Sequence, residues 1–176
     1  MRHSVWATAV GAGLACGMLS TSALAQEDRV LAFPADYRDS FFQYYEGDRL
    51  QEDAQTIRLF ANETARQAAI EGKPLPDGSL LVAEIYAAKK DADGNIVESD
   101  LGRRIPGEFK AIALMERRAG WGDQYGDTLD VGDWEFELFS PAGENLARDT
   151  TGCRECHQPL NTTEHLFSLE HLSAAN

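Results

Sequence analysis

The chain has 176 residues, 26% of them charged, and a formal net charge of −13 at pH 7. Those figures fit one folded domain and exclude an intrinsically disordered chain. So acidic a balance excludes nucleic acid as a natural partner; it serves solubility, or steers the protein towards a basic redox partner.

Arg2 gives a short basic start, residues 5–19 run largely apolar without a charge, and Ala23-Leu24-Ala25 supplies a small-x-small cleavage site. This pattern predicts a secretory signal peptide over 1–25 and a single mature domain over 26–176 in the periplasm. The apolar run is too short to span a bilayer and polar Gln26-Glu27-Asp28 follows, so no membrane span is expected. Gly13-Leu14-Ala15-Cys16 loosely resembles a lipoprotein site. Cleavage removes Cys16 and leaves Cys153 and Cys156, so a structural disulfide gives way to some other stabiliser.

Phe33-Pro34-Ala35-Asp36 opens the ordered region, with Pro34 suited to the first helical position. Tyr37, Phe41 and Tyr44 recur at helical spacing and predict a helix over Asp36–Tyr45, ended by Gly47. Thr56–Ala61 alternates as a strand, and Asn62-Glu63-Thr64 caps a helix through Ile70 that Gly72 closes. Pro74–Gly78 is a turn and Ser79–Ala88 a strand. Asp91–Asn95 imitates a calcium loop but lacks its later glutamate, so a hairpin turn is expected, with Ile96-Val97 beginning the return strand.

Phe109–Arg118 stays open between helix, which its composition favours, and strand. A Gly/Asp-rich loop over 122–133 precedes Trp134–Leu138, whose alternation predicts a half-buried strand with its apolar side inward. Thr163–Leu172 carries leucines and Phe167 at helical spacing. The sum is an α+β domain: an antiparallel sheet, a few peripheral helices and a C-terminal segment of special chemistry.

That segment is Cys153-Arg154-Glu155-Cys156-His157. Two cysteines two residues apart, followed at once by histidine, form the attachment pattern of a c-type haem. The thiols add to the porphyrin vinyl groups and the imidazole binds iron, so one covalent haem c per chain is expected, with Cys153, Cys156 and His157 holding it. Arg154 and Glu155 are expected only to set the span between the thioethers. Haem of this type is attached after export, which agrees with the signal peptide. A redox disulfide, or a zinc site completed by His165 and His171, would use the same thiols. The first belongs beside a βαβ pattern that is missing here, and the second has too few residues between Cys156 and His165.

Phe33-Pro34-Ala35-Asp36-Tyr37-Arg38, Phe60-Ala61-Asn62 and Pro76-Asp77-Gly78-Ser79 with Val82-Ala83-Glu84-Ile85 occur in one order. Glu116-Arg117, Gly120-Trp121-Gly122, Trp134-Glu135-Phe136 and Cys153–His157 continue it. That order resembles the cytochrome P-460 and cytochrome c′-beta family of exported mono-haem proteins. The resemblance implies a homodimeric antiparallel domain with His157 on iron, acting on hydroxylamine or binding nitric oxide. It also implies a lysine–haem cross-link in the hydroxylamine oxidisers, at a position where this chain has Ala83. Lys89 lies six residues further, about 20 Å along a strand. The chain therefore resembles the branch without the cross-link.

The sixth iron position separates the readings. Met115, the only methionine outside the signal, would make a six-coordinate electron carrier if it ligates, or is ordinary core filling. His165 and His171 read as surface histidines. An open site binding a small nitrogen oxide is the leading expectation, with Phe60 as the family-implied pocket aromatic and Phe41 or Phe42 beside it. Glu84 and Glu144 are candidate distal carboxylates. An enzyme oxidising hydroxylamine or reducing peroxide is the third reading.

Overall fold

A computed structural model describes residues 31–175; the expected signal peptide, Cys16 included, lies outside them. In chain order the elements are helix α1 (Tyr37–Ser40), strand β1 (Phe42–Asp48), strand β2 (Gln55–Ala61) and helix α2 (Glu63–Ile70). Strand β3 (Leu80–Ala88), strand β4 (Pro106–Arg117), strand β5 (Trp134–Phe139), helix α3 (Thr151–His157) and helix α4 (Leu169–Ser173) follow. The strands form one antiparallel sheet in the order β1-β2-β3-β4-β5, so the α+β expectation holds. Among the described residues no helix is long and apolar enough to cross a membrane.

Asn62 sets the corner between β2 and α2, as its sequence position predicts. Its Oδ1 accepts from the N–H groups of Ala65 (3.0 Å) and Leu80 (3.2 Å), and its Nδ2 donates to the Gly78 carbonyl (2.8 Å). One side chain thus caps the helix and fixes the entry to β3.

Two expectations change. The helix expected over Asp36–Tyr45 is a single turn, and Phe41 is already extended (φ −99°, ψ 154°). The aromatics beyond it suit a strand, and β1 gains a ladder against β2 with one irregularity between Gln43 and Tyr45. The open segment 109–118 lies in β4 up to Arg117, and β4 pairs with β3 on one side and β5 on the other. Helix propensities of up to about 0.7 kcal/mol per residue yield to two ladders of hydrogen bonds. The Asp91 turn is present: its Oδ1 accepts from the N–H groups of Asp93 and Asn95, both at 2.9 Å. Only isolated bridges, Lys90 with Ile96 and Glu98 with Arg104, follow before β4 begins.

Because strand side chains alternate between faces, the register assigns every residue a side. Ala61, Leu81, Met115 and Phe136 form one row across β2 to β5. Helix α2 packs over that row through Ala65, Ala68 and Ala69, joined by Leu75, Leu166 and Leu172. Two further rows continue the same face: Leu59, Ala83, Ala113 and Leu138, then Ile57, Ile85 and Ala111. These stay only half-buried. The opposite face holds a second core of Phe60, Val82, Ile112, Leu114 and Phe139, closed by Tyr37 and Leu31.

Candidate haem site

Helix α3 carries both thiols and the histidine in under two turns. Asp149 starts it, its Oδ1 accepting from the Thr151 N–H (2.9 Å) and hydroxyl (2.7 Å), and these bonds hold its carboxyl below the usual range. Cys153 is half-buried against the Ala61–Phe136 row and Cys156 is exposed; both are free thiols. Burial pushes the Cys153 thiol up, the reverse of the lowered value that makes a redox dithiol reactive. Among the described residues no group of three or more His, Cys, Asp or Glu side chains is placed to hold a metal ion. His171 instead lies against the Tyr45 ring, centroids 4.6 Å apart.

His157 is the best-defined group here. Its Nδ1 stands 2.6 Å from the backbone carbonyl of His165. A carbonyl only accepts, so Nδ1 carries the proton and Nε2 keeps its lone pair. Phe136 and Phe167 approach the ring edge-on, each with centroids 5.1 Å away. Burial pushes the imidazole pKa down, which keeps the ring neutral. A neutral histidine with one nitrogen tied to a carbonyl and the other free is the form that ligates iron.

The sheet supplies a surface for a flat apolar group. Ala83, Ala111 and Ala113 lie on the α3 side of the sheet, between Leu59, Ile57, Ile85 and Leu138. Small side chains there leave room, and their larger neighbours give it apolar walls. Donor set and surface together fit haem.

Arg154 corrects the view that the residues between the cysteines only set a span. Its side chain is 1% exposed. Its Nη2 donates to Glu135 Oε1 (2.7 Å) and to the Trp134 carbonyl (2.8 Å), and the guanidinium lies 3.3 Å from the Tyr125 ring centroid. Tyr125 in turn donates to Glu135 Oε2 (2.9 Å). Helix α3 is thereby docked on the edge strand of the sheet. Glu135 is buried as well, so β5 is not the one-sided strand its alternation suggests. The one available signal was an arginine beside buried-type chemistry, with a glutamate inside an apolar strand.

The other candidates separate by face. Phe60 is buried on the side away from Cys153, edge-on to Tyr37 at 5.2 Å, and Phe41 packs on that same side. Glu84 faces that way too, buried and accepting from Tyr37 Oη (2.6 Å), Tyr86 Oη (2.7 Å) and Arg38 Nε. Phe42 shares the face of Ala61 but lies under the Arg66 guanidinium, 4.5 Å from its ring centroid. Glu144 is exposed in a turn, its N–H bonded to Ser140 Oγ (3.2 Å). Met115 does face the α3 side, but as the register partner of Phe136, the ring that touches His157. Ala83 faces that side as well.

A family profile described as Cytochrome P460 matches residues 34–168. No curated protein sequence matches the chain. The match runs from the first turn of the fold to the loop behind His157, and haem c is the group that its site residues fit. The chain belongs to the cytochrome P460 family, and is a haem c protein.

Proposed function

We propose that this is a periplasmic mono-haem cytochrome, its haem joined to Cys153 and Cys156, with His157 on iron and the opposite position open to a small nitrogen oxide such as nitric oxide or hydroxylamine. Phe167 and Phe136 hold the imidazole plane, the His165 carbonyl holds its Nδ1 proton, and the alanine-lined rows exclude water. When bound, the haem supplies an iron centre able to take a small ligand and to exchange one electron. The observation that carries the reading is the position of Met115. It pairs with Phe136, whose ring meets His157, and packs against the same core cluster as Cys153, so it lies on the side of the proximal histidine and not opposite it. Glu84, fully engaged on the other face, leaves the distal side without that carboxylate.

The absence of lysine at Ala83 favours ligand binding over cross-linked hydroxylamine chemistry. The same reading makes the protein a homodimer served by a redox partner protein; sedimentation of the loaded protein tests the former. The deciding experiment is the absorption spectrum of haem-loaded protein in both redox states, before and after nitric oxide or carbon monoxide. Gas-sensitive high-spin bands are expected, unchanged by Met115→Ala. A low-spin spectrum that neither gas moves, and that Met115→Ala abolishes, would establish the electron carrier instead. Turnover of hydroxylamine with an artificial acceptor would establish the enzyme.

A further inference from the structure

We propose that Glu164 is a positioning residue for His157, acting through a strap that runs from Arg117 on β4 to the imidazole Nδ1. The proposal rests on the reading of His157 as the iron ligand. It starts from a backbone anomaly: Glu164 and His165 both have positive φ, 52° and 62°. Neither is glycine, and the left-handed region costs an L-residue about 1–2 kcal/mol. Such a conformation persists only where the surroundings hold it.

The surroundings here are specific. Glu164 Oε2 accepts from the Leu75 N–H (2.9 Å) and from Arg117 Nη1 (3.2 Å). The Thr163 hydroxyl bridges the carbonyls of Leu160 (3.2 Å) and Leu166 (2.8 Å), and the His165 N–H donates to the Leu160 carbonyl (2.8 Å). Leu75 comes from the connection after α2 and Arg117 from the end of a central strand, so two distant parts of the chain converge on one carboxylate. What the arrangement achieves is the placement of a single acceptor, the His165 carbonyl, 2.6 Å from His157 Nδ1. His165 Nδ1 lies 3.2 Å from the His157 carbonyl, which ties the two residues in both directions.

An acceptor on Nδ1 makes an iron-bound imidazole a stronger donor and favours ferric over ferrous iron. The strap therefore sets the electron density of the proximal ligand, and Glu164 sets the strap without touching iron or haem.

The test uses the full haem-loaded chain as wild type, Glu164→Ala, Glu164→Gln and Arg117→Gln. The midpoint potential and, in the ferrous state, the iron–histidine stretching frequency are measured. Glu164→Ala and Arg117→Gln are expected to raise the potential and lower the frequency. The expected size is about a tenfold loss of ferric preference, or ~59 mV for one electron. Glu164→Gln keeps an acceptor for the Leu75 N–H and should return part of the way. Potentials and frequencies at wild-type values, with only the melting temperature lowered, would reduce Glu164 to a loop pin and overturn the proposal. If Glu164→Ala does not fold, Arg117→Gln decides by the same criterion. Carbon monoxide added to wild type separates the two ideas: failure to bind it defeats the open-site reading, while the potentials still report on the strap.

Discussion

Arg154 and Glu135 are 2.7 Å apart, and their side chains are 1% and 6% exposed. Helix α3, which bears Cys153 and Cys156, is fastened to the sheet by an ion pair almost wholly out of water. Desolvating two charges is costly, and the Tyr125 hydroxyl and the Trp134 and Leu129 carbonyls offset part of it, while Arg154 Nε stays buried without a partner. Its worth lies in what happens when half of it is removed.

Arg154→Ala should therefore destabilise the protein by roughly 3–5 kcal/mol, since it strands a buried carboxylate. The double replacement Arg154→Leu with Glu135→Leu should recover most of that loss. Urea titration of wild type, Arg154→Leu, Glu135→Leu and the double replacement measures the coupling directly. An Arg154→Ala protein as stable as wild type would mean that α3 does not depend on this anchor.

Glu84 predicts an acid-sensitive step. Burial pushes its carboxyl up, but hydrogen bonds from Tyr37, Tyr86 and Arg38 outweigh burial and hold it below its ordinary value of 4.5. A carboxyl with a depressed folded pKa contributes stability above the unfolded pKa and loses it as pH falls towards the folded one. Wild type should thus lose stability below about pH 4.5, whereas Glu84→Gln should start lower and show a flatter decline. Melting temperatures between pH 3 and 7 compare the two slopes; equal slopes would contradict the network. Tyr37, whose hydroxyl is held well above its ordinary range by burial first and then by its bond to Glu84, should stay protonated throughout.

The alanine-lined rows make a steric prediction. Ala83→Phe fills the surface offered to the haem without entering either hydrophobic cluster. Haem loading, read from the ratio of Soret to protein absorbance, should fall severalfold while far-ultraviolet circular dichroism stays at the wild-type level. Full loading would show that the haem does not rest on these rows.

Asn62→Ala removes an acceptor used by two N–H groups and a donor to Gly78. A loss of about 1–2 kcal/mol is expected in chemical denaturation. Asn62→Asp, which keeps the acceptor, should lose less.

By itself the sequence determined whatever depends on neighbours along the chain. The spacing of Cys153, Cys156 and His157, the cap at Asn62, the Asp91 turn and the alternation of β2 are all contiguous, and their chemistry is fixed by covalent spacing. Tertiary structure alone decided which side each residue faces and what it meets there. Tyr37, Phe41 and Tyr44 share a helical spacing, yet the chain from Phe42 becomes a strand because β2 offers a ladder, and 109–117 follows β3 and β5 against its own propensity. Arg154 finds Glu135 across 19 residues, Tyr37 finds Glu84 across 47, and Leu75 finds Glu164 across 89. Such pairings depend on strand register, and a slip of one residue would send every side chain to the other face. For that reason Phe60 and Ala61, adjacent in the chain, end in different cores, and only Ala61 shares the side of Cys153.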